Sequence, residues 1–213
     1  YEYQAFTDIV NHLKPEQVDS FREIIKPSLN ENTLIGHGFV KPYGYPGDFH
    51  LIHNIYKQKA NPDTKYKSWD EFFLNQPAAQ AVRNRKDFFL RCCKRLEERD
   101  SKEINVLILG CGPATDVNQY NTENPDSKLR FHLLDFDQKA IDFAKAQNES
   151  SNGSIEYFRI NVLRYKPYKY YDLIWSAGLF DYFKEKHFIY LINKYYKNLA
   201  DNGELPFPVA CGE

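Results

Sequence analysis

Four short stretches hold residue types that suit a bound nucleoside. An apolar run, Ile104–Leu109, is followed by Gly110-Cys111-Gly112-Pro113-Ala114. Gly110 permits a tight turn, and Gly112 lets a ligand come close to the backbone. About 25 residues on stands Asp135-Phe136-Asp137, after a second apolar run. A carboxylate there can accept hydrogen bonds from both hydroxyls of a ribose. After a third run comes Asn161-Val162, where a side-chain amide can read an adenine edge. After a fourth comes Ser176-Ala177-Gly178-Leu179-Phe180-Asp181-Tyr182, a turn of small residues with a polar end. Each feature alone has a plain structural reading: a Gly-x-Gly turn without cofactor, Asp135 as a helix cap, Asn161 as a turn residue. Together, in order and each at a strand end, they point to a cofactor containing a nucleoside.

A nicotinamide fingerprint, Gly-x-Gly-x-x-Gly, would place its third glycine at Thr115, which disfavours an NAD-dependent oxidoreductase. Leu109-Gly-Cys-Gly-Pro-Ala114 instead resembles motif I of class I methyltransferases. The resemblance runs over about residues 104–205, through Asp135, Asn161 and the strand Tyr171-Asp-Leu-Ile-Trp175. Two departures stand out: Ile108 where many members carry an acid, and Ala114 where a third glycine is usual. The resemblance implies S-adenosyl-L-methionine as cofactor and S-adenosyl-L-homocysteine as product. It implies cofactor contacts from Gly110, Cys111, Gly112, Ala114, Asp135, Phe136, Asn161, Val162, Ser176, Ala177 and Gly178.

Three further segments are similar to a narrower bacterial group, the 3-hydroxypalmitic acid methyl ester biosynthesis proteins. They are His37-Gly-Phe-Val-Lys-Pro-Tyr43-Gly-Tyr45-Pro-Gly-Asp48-Phe49, Asn75-Gln-Pro-Ala-Ala-Gln-Ala-Val-Arg83-Asn-Arg85, and Ser176 to Tyr182. That likeness implies carboxyl O-methylation of a fatty or hydroxy acid. A different reading is a regulatory or interaction module that binds S-adenosylmethionine without catalysis. Under the enzyme reading, the glycine-rich stretch 36–48 is the lid or acceptor site. Its His37, Tyr45 and Asp48, with Asp181 and Tyr182, are the catalytic candidates; Tyr43 and Arg83 are the substrate-binding ones. Asp48 equally suits the cap of a following helix, Tyr182 simple packing, and Arg83 a surface position.

Positioning these groups requires an α/β fold, a Rossmann-like, mostly parallel sheet with helices on both faces. Strands are expected over 104–109, 129–134, 155–162 and 171–176, with helices over 114–120, 138–147 and 184–199. Asp201-Asn-Gly203 reads as a helix stop. An N-terminal helical extension, residues 1–103, precedes the cofactor domain, residues 104–213. Within it helices are expected over 4–13 and 15–29, over 48–59, from a Ser68 cap with Glu71 in a capping box, and over 78–99. Six glycines and prolines between Gly36 and Gly47 predict a shaped loop without regular structure.

The chain has 213 residues, 42 % hydrophobic and 27 % charged, with a net charge of −1. Mixed charge argues against a general nucleic-acid-binding surface, though it leaves room for a local patch. No apolar run reaches the roughly 18 residues of a membrane span. Tyr1-Glu2-Tyr3 does not open a signal peptide. Cys92, Cys93, Cys111 and Cys211 lack zinc-ligand spacing and suit a reducing cytoplasm. His50 and His53 could share a metal, but no third ligand lies nearby in sequence, and no metal is expected. The chain holds no methionine and stops soon after a fifth strand. The expectation is that methionines and C-terminal residues are missing from this sequence, and the intact mass tests it.

Overall fold

The computed structural model describes residues 2–151 and 153–206. The chain forms two compact units that divide between Arg83 and Asn84, earlier than the change of sequence pattern near residue 103.

In the second unit the sheet is fully parallel, in the order β3-β2-β1-β4-β5. Its strands are β1 (Ile104–Leu109), β2 (Leu129–Asp135), β3 (Ser154–Arg159), β4 (Tyr171–Trp175) and β5 (Leu199–Glu204). β1 is central and almost wholly buried, which explains why it is apolar at every position but Asn105. Alternate residues feed two cores. Val106, Ile108, Phe131, Leu133, Leu173 and Trp175 face one side, while Leu107, Leu109, Leu134 and Ile174 face the other. The first side is covered by the C-terminal half of α6 (Pro77–Glu97), by α7 (Thr115–Glu123) and by α8 (Gln138–Asn148). The second is covered by α9 (Glu185–Tyr196) through Leu191 and Tyr195.

The chain winds outward from β1 to β3, then returns to the other side of β1 as β4. The reversal in strand order therefore falls between β1 and β4, and the crevice outside the carboxyl ends of such strands is where open α/β sheets bind ligands. Cys92, Cys93 and Cys111 are free thiols buried in the first core, and burial pushes all three thiols up, Cys93 and Cys111 well above their ordinary value.

Several boundaries differ from the sequence expectations. β3 ends at Arg159, so Asn161 and Val162 lie in the turn beyond it. Asp201-Asn-Gly203 lies inside β5 rather than stopping a helix; Asn202 takes φ +62 and the pairing with β4 shifts register there. Residues 207–213, with Cys211, fall outside the described residues.

The first unit is helical: α1 (Glu2–Asn11), α2 (Val18–Ile25), α3 (Leu34–Val40), α4 (Phe49–Lys57), α5 (Thr64–Leu74) and the start of α6. The expected helix over 15–29 is split, with short 3-10 turns at Pro15–Gln17 and Lys26–Ser28 around α2. Leu34, Leu51, Ile55, Leu74 and Ala79 make its core. The buried carboxylate of Asp70 joins two loops by accepting from Leu34 N (2.7 Å) and Asn61 N (2.8 Å).

α3 corrects the expectation of an unstructured loop over 31–48. Thr33 caps it, its hydroxyl accepting from Gly36 N at 3.0 Å. Gly36 is there because a side chain would collide: a Cβ would lie 2.0 Å from Asn30 O. The glycine thus reports a close backbone approach within a helix, not a flexible turn. α5 also starts earlier than expected. Asp63, not Ser68, is its cap, accepting from Lys65 N at 2.9 Å.

Candidate functional site

The crevice is built from strand-end turns in left-handed conformations. Gly110 has φ +71 and Gly112 φ +52. Ala114, where a third glycine is usual, has φ +48 and leads into α7, so it keeps the glycine's backbone shape at some steric cost. The turn is tied to β2 by Cys111 N donating to Leu134 O at 2.8 Å. A Cβ built on Gly112 meets nothing within 4 Å, so the backbone is open on that side.

Asp135 ends β2 and is buried. Its Oδ2 accepts from Gly112 N and its Oδ1 from Asp137 N, both at 3.0 Å. Burial raises its pKa, opposed by these backbone donors. Asp137 is the residue that caps α8, accepting from Lys139 N at 2.9 Å, which frees Asp135 from the capping role. Each Asp135 oxygen carries one of these bonds and keeps capacity for another acceptance. A carboxylate with spare capacity beside an open glycine turn fits a ribose-bearing cofactor, and Gly110, Gly112, Ala114 and Asp135 are the residues that would hold it. Phe136 is 61 % exposed beside it.

The other strand ends are more mixed. Asn161 is exposed, and its Oδ1 accepts from Leu163 N at 2.8 Å, which is the turn role; its Nδ2 is the atom that would read a base edge. Val162 is buried, with its carbonyl accepting from Tyr195 Oη at 2.7 Å and Lys194 Nζ at 3.2 Å. Ser176 is buried and donates to Leu109 O at 3.2 Å, joining the ends of β4 and β1. Ala177 packs against the first core, and Gly178, φ +89, starts a 3-10 turn over Leu179–Tyr182. Asp181 and Tyr182 on that turn are exposed.

Two residues of this unit were missed in the choice of candidates. Asp116, in the first turn of α7, is buried, and burial lifts its carboxyl from 3.8 to about 6. Its position directly after the glycine turn was the available signal. Arg85 lies on α6 with its Nη1 3.4 Å from the Cβ position of Gly178 and 3.9 Å from Asp181 Oδ2. It sits inside the segment that carried the narrower resemblance.

The remaining candidates lie in the first unit. His37 Nε2 is 2.7 Å from Asp48 Oδ2, with both side chains buried. Asp48 also caps α4, its Oδ1 accepting from His50 N and Leu51 N at 3.0 Å each, so the capping role holds. The His37 ring stacks on His50 at 5.4 Å and lies 6.2 Å from Tyr43. Tyr43 and Tyr45 are half-buried. Arg83 is not a surface residue. It is 8 % exposed, with Nη1 donating to Leu74 O at 2.8 Å and Nη2 to Gln80 Oε1 at 2.7 Å. Among the described residues no three His, Cys, Asp or Glu side chains gather to hold a metal, and no helix is long and apolar enough to cross a membrane.

The parallel sheet, its switch-point crevice and the Asp135–Gly112 pair define a nucleoside-cofactor domain of the Rossmann-like class. Comparison with known proteins narrows it. Residues 106–203 match the family described as methyltransferase domain. Malonyl-[acyl-carrier protein] O-methyltransferase 1 of Ilyobacter polytropus is 28 % identical over 106 residues, half of this chain and 38 % of that protein. Among solved structures, a possible exported protein of Bordetella parapertussis aligns with a TM-score of 0.64 at 20 % identity. The alignment covers 74 % of this chain and 52 % of the other. This chain therefore spans between about a third and a half of the length of these relatives.

Proposed function

We propose that the protein is a small-molecule methyltransferase that uses S-adenosylmethionine to methylate the carboxylate oxygen of a fatty or hydroxy acid. The observation that carries the methyl-donor reading is Asp135, buried at the end of β2 and bonded to the open glycine turn, within a segment that matches methyltransferase domains. The oxygen acceptor is supported by the O-methyltransferase relative and by the narrower sequence resemblance.

The cofactor supplies a methyl group already activated toward nucleophiles by its sulfonium. The protein's task is then to orient and to exclude water, and orientation can supply roughly 7–11 kcal/mol. Asp135 and the turn Gly110 to Ala114 hold the nucleoside end. A carboxylate acceptor is ionised at neutral pH and needs no base. That suits His37 and Asp48, whose polar atoms are engaged with each other and with the start of α4. In this reading residues 176–182, with Tyr182, recognise the acceptor.

The test is a methyl-transfer screen with labelled S-adenosylmethionine over fatty acids, hydroxy acids and amines. Base-labile label in an acid is the expected result. Label confined to amines, or none from a protein that still binds S-adenosylhomocysteine, would overturn the carboxyl assignment. Asp135→Ala should abolish nucleoside binding.

A further inference from the structure

We propose that Arg85 receives a ligand carboxylate in the crevice between β1 and β4, and that Asp181 is the counter-ion exchanged for it. The proposal rests on the methyltransferase reading for the choice of its probes.

Position is the first support. Arg85 Nη1 lies 3.4 Å from where a Cβ of Gly178 would stand. The next residue, Leu179, reaches over Gly110, its side chain 3.2–3.5 Å from that glycine's Cβ position. The guanidinium thus stands beside the ends of β4 and β1, at the point where strand order reverses and ligands of open α/β sheets bind. Gly178, at φ +89, is strained for any side chain, and a Cβ there would stand in contact with Nη1.

Electrostatics is the second. A guanidinium stays charged at any working pH and offers five donors in a planar fork. Arg85 is largely covered, its side chain 16 % exposed. Its ion-pair partner among the described residues is Asp181, whose side chain is 74 % exposed and whose oxygen is 3.9 Å away. That distance is beyond a hydrogen bond, and a pair so open to water is weak. The other arginines near the units' cores are better occupied. Arg83 donates to Leu74 O and Gln80 Oε1, and Arg99 pairs with both Asp172 and Glu204. A covered cation with one distant, solvated counter-ion is poised to take a carboxylate through two parallel N–H bonds. Asp181 stands on a single helical turn after a glycine hinge, so it can yield without disturbing β4.

The carboxylate could belong to the cofactor's amino-acid tail or to an acid acceptor, and two titration arms separate them. In the first, S-adenosylhomocysteine is compared with its decarboxylated analogue. In the second, 3-hydroxypalmitate is compared with its methyl ester, at saturating S-adenosylhomocysteine. Calorimetry is run on the wild-type chain, Arg85→Gln, Arg85→Lys and Asp181→Asn. In at least one arm the wild type should prefer the acid by about tenfold or more. Arg85→Gln should erase that preference while leaving the carboxylate-free probe unchanged, Arg85→Lys should restore part of it, and Asp181→Asn should strengthen the acid. The arm that responds names the source. If Arg85→Gln leaves both preferences intact, or weakens acid and carboxylate-free probe alike, the proposal fails. If the wild type binds neither nucleoside, the methyltransferase reading fails, and the acid-ester arm, repeated without nucleoside, decides for Arg85.

Discussion

Asp116 offers a test of the crevice's electrostatics that needs no ligand. Its carboxyl is 7 % exposed, and burial moves its titration from 3.8 to about 6, against the pull of the Val117 N–H at 2.9 Å and of the Lys86 charge. An unfolded chain releases this proton near its ordinary value, while the native chain keeps it until about 6. Between those points the native state binds more protons, so stability falls as pH rises. Below both values the group contributes nothing to the slope; above both, the loss is complete. At about 1.4 kcal/mol for each tenfold change, the loss is on the order of 3 kcal/mol. Asp116→Asn stays neutral and can still accept from Val117 N. Its stability relative to wild type should therefore rise by about 2.5 kcal/mol between about pH 4 and pH 7. Urea unfolding of both proteins across that range measures the difference, in which other titrating groups largely cancel. A difference that stays flat, or that moves toward wild type as pH rises, would show that Lys86 and the helix terminus outweigh desolvation and would refute the reasoning.

Two further substitutions separate fold from ligand. Gly112→Ala puts a side chain into a left-handed residue with open space around it, so it should cost roughly 1–2 kcal/mol of stability yet obstruct the nucleoside. A folded variant whose thermal shift with S-adenosylhomocysteine equals that of wild type would contradict the placement of the cofactor at this turn. Arg83→Ala strips Leu74 O of a buried donor and should lower stability by about 1–3 kcal/mol, while nucleoside affinity stays within about twofold. Lost affinity at unchanged stability would assign Arg83 to the ligand instead.

The sheet was legible because parallel strands buried on both faces are dominated by apolar residues, as Ile104–Leu109 is apart from Asn105, and Leu129–Asp135 apart from Arg130, His132 and its terminal acid. The turn Gly110 to Ala114 and Asp135 were legible for the same reason: their places are set by where those runs stop. What escaped depended on distant partners. Nothing local to Gly36 shows that the backbone of Asn30 passes against it, so a capped helix looked like a loop. Arg83 and Arg85 are two residues apart on α6, about 200° around the helix. Only the fold shows that Arg83 turns to the end of α5 and Arg85 to Gly178. Asp135 and Asp137 were likewise ambiguous as cap and ligand until β2 and α8 took their bounds.

The three sealed thiols give the domain internal timers of its own opening. Thiol reagents attack the thiolate, and burial both hides Cys92, Cys93 and Cys111 and keeps them protonated. Their alkylation must therefore wait for the structure to part, and its rate counts those events. Cys92 and Cys93 lie on the buried face of α6, whereas Cys111 lies in the glycine turn itself. With Cys211 replaced by serine, the ratio of the two rates distinguishes a loosening of the turn from a lifting of the helix. A nucleoside seated on Gly112 should slow the clock at Cys111 more than the one on α6.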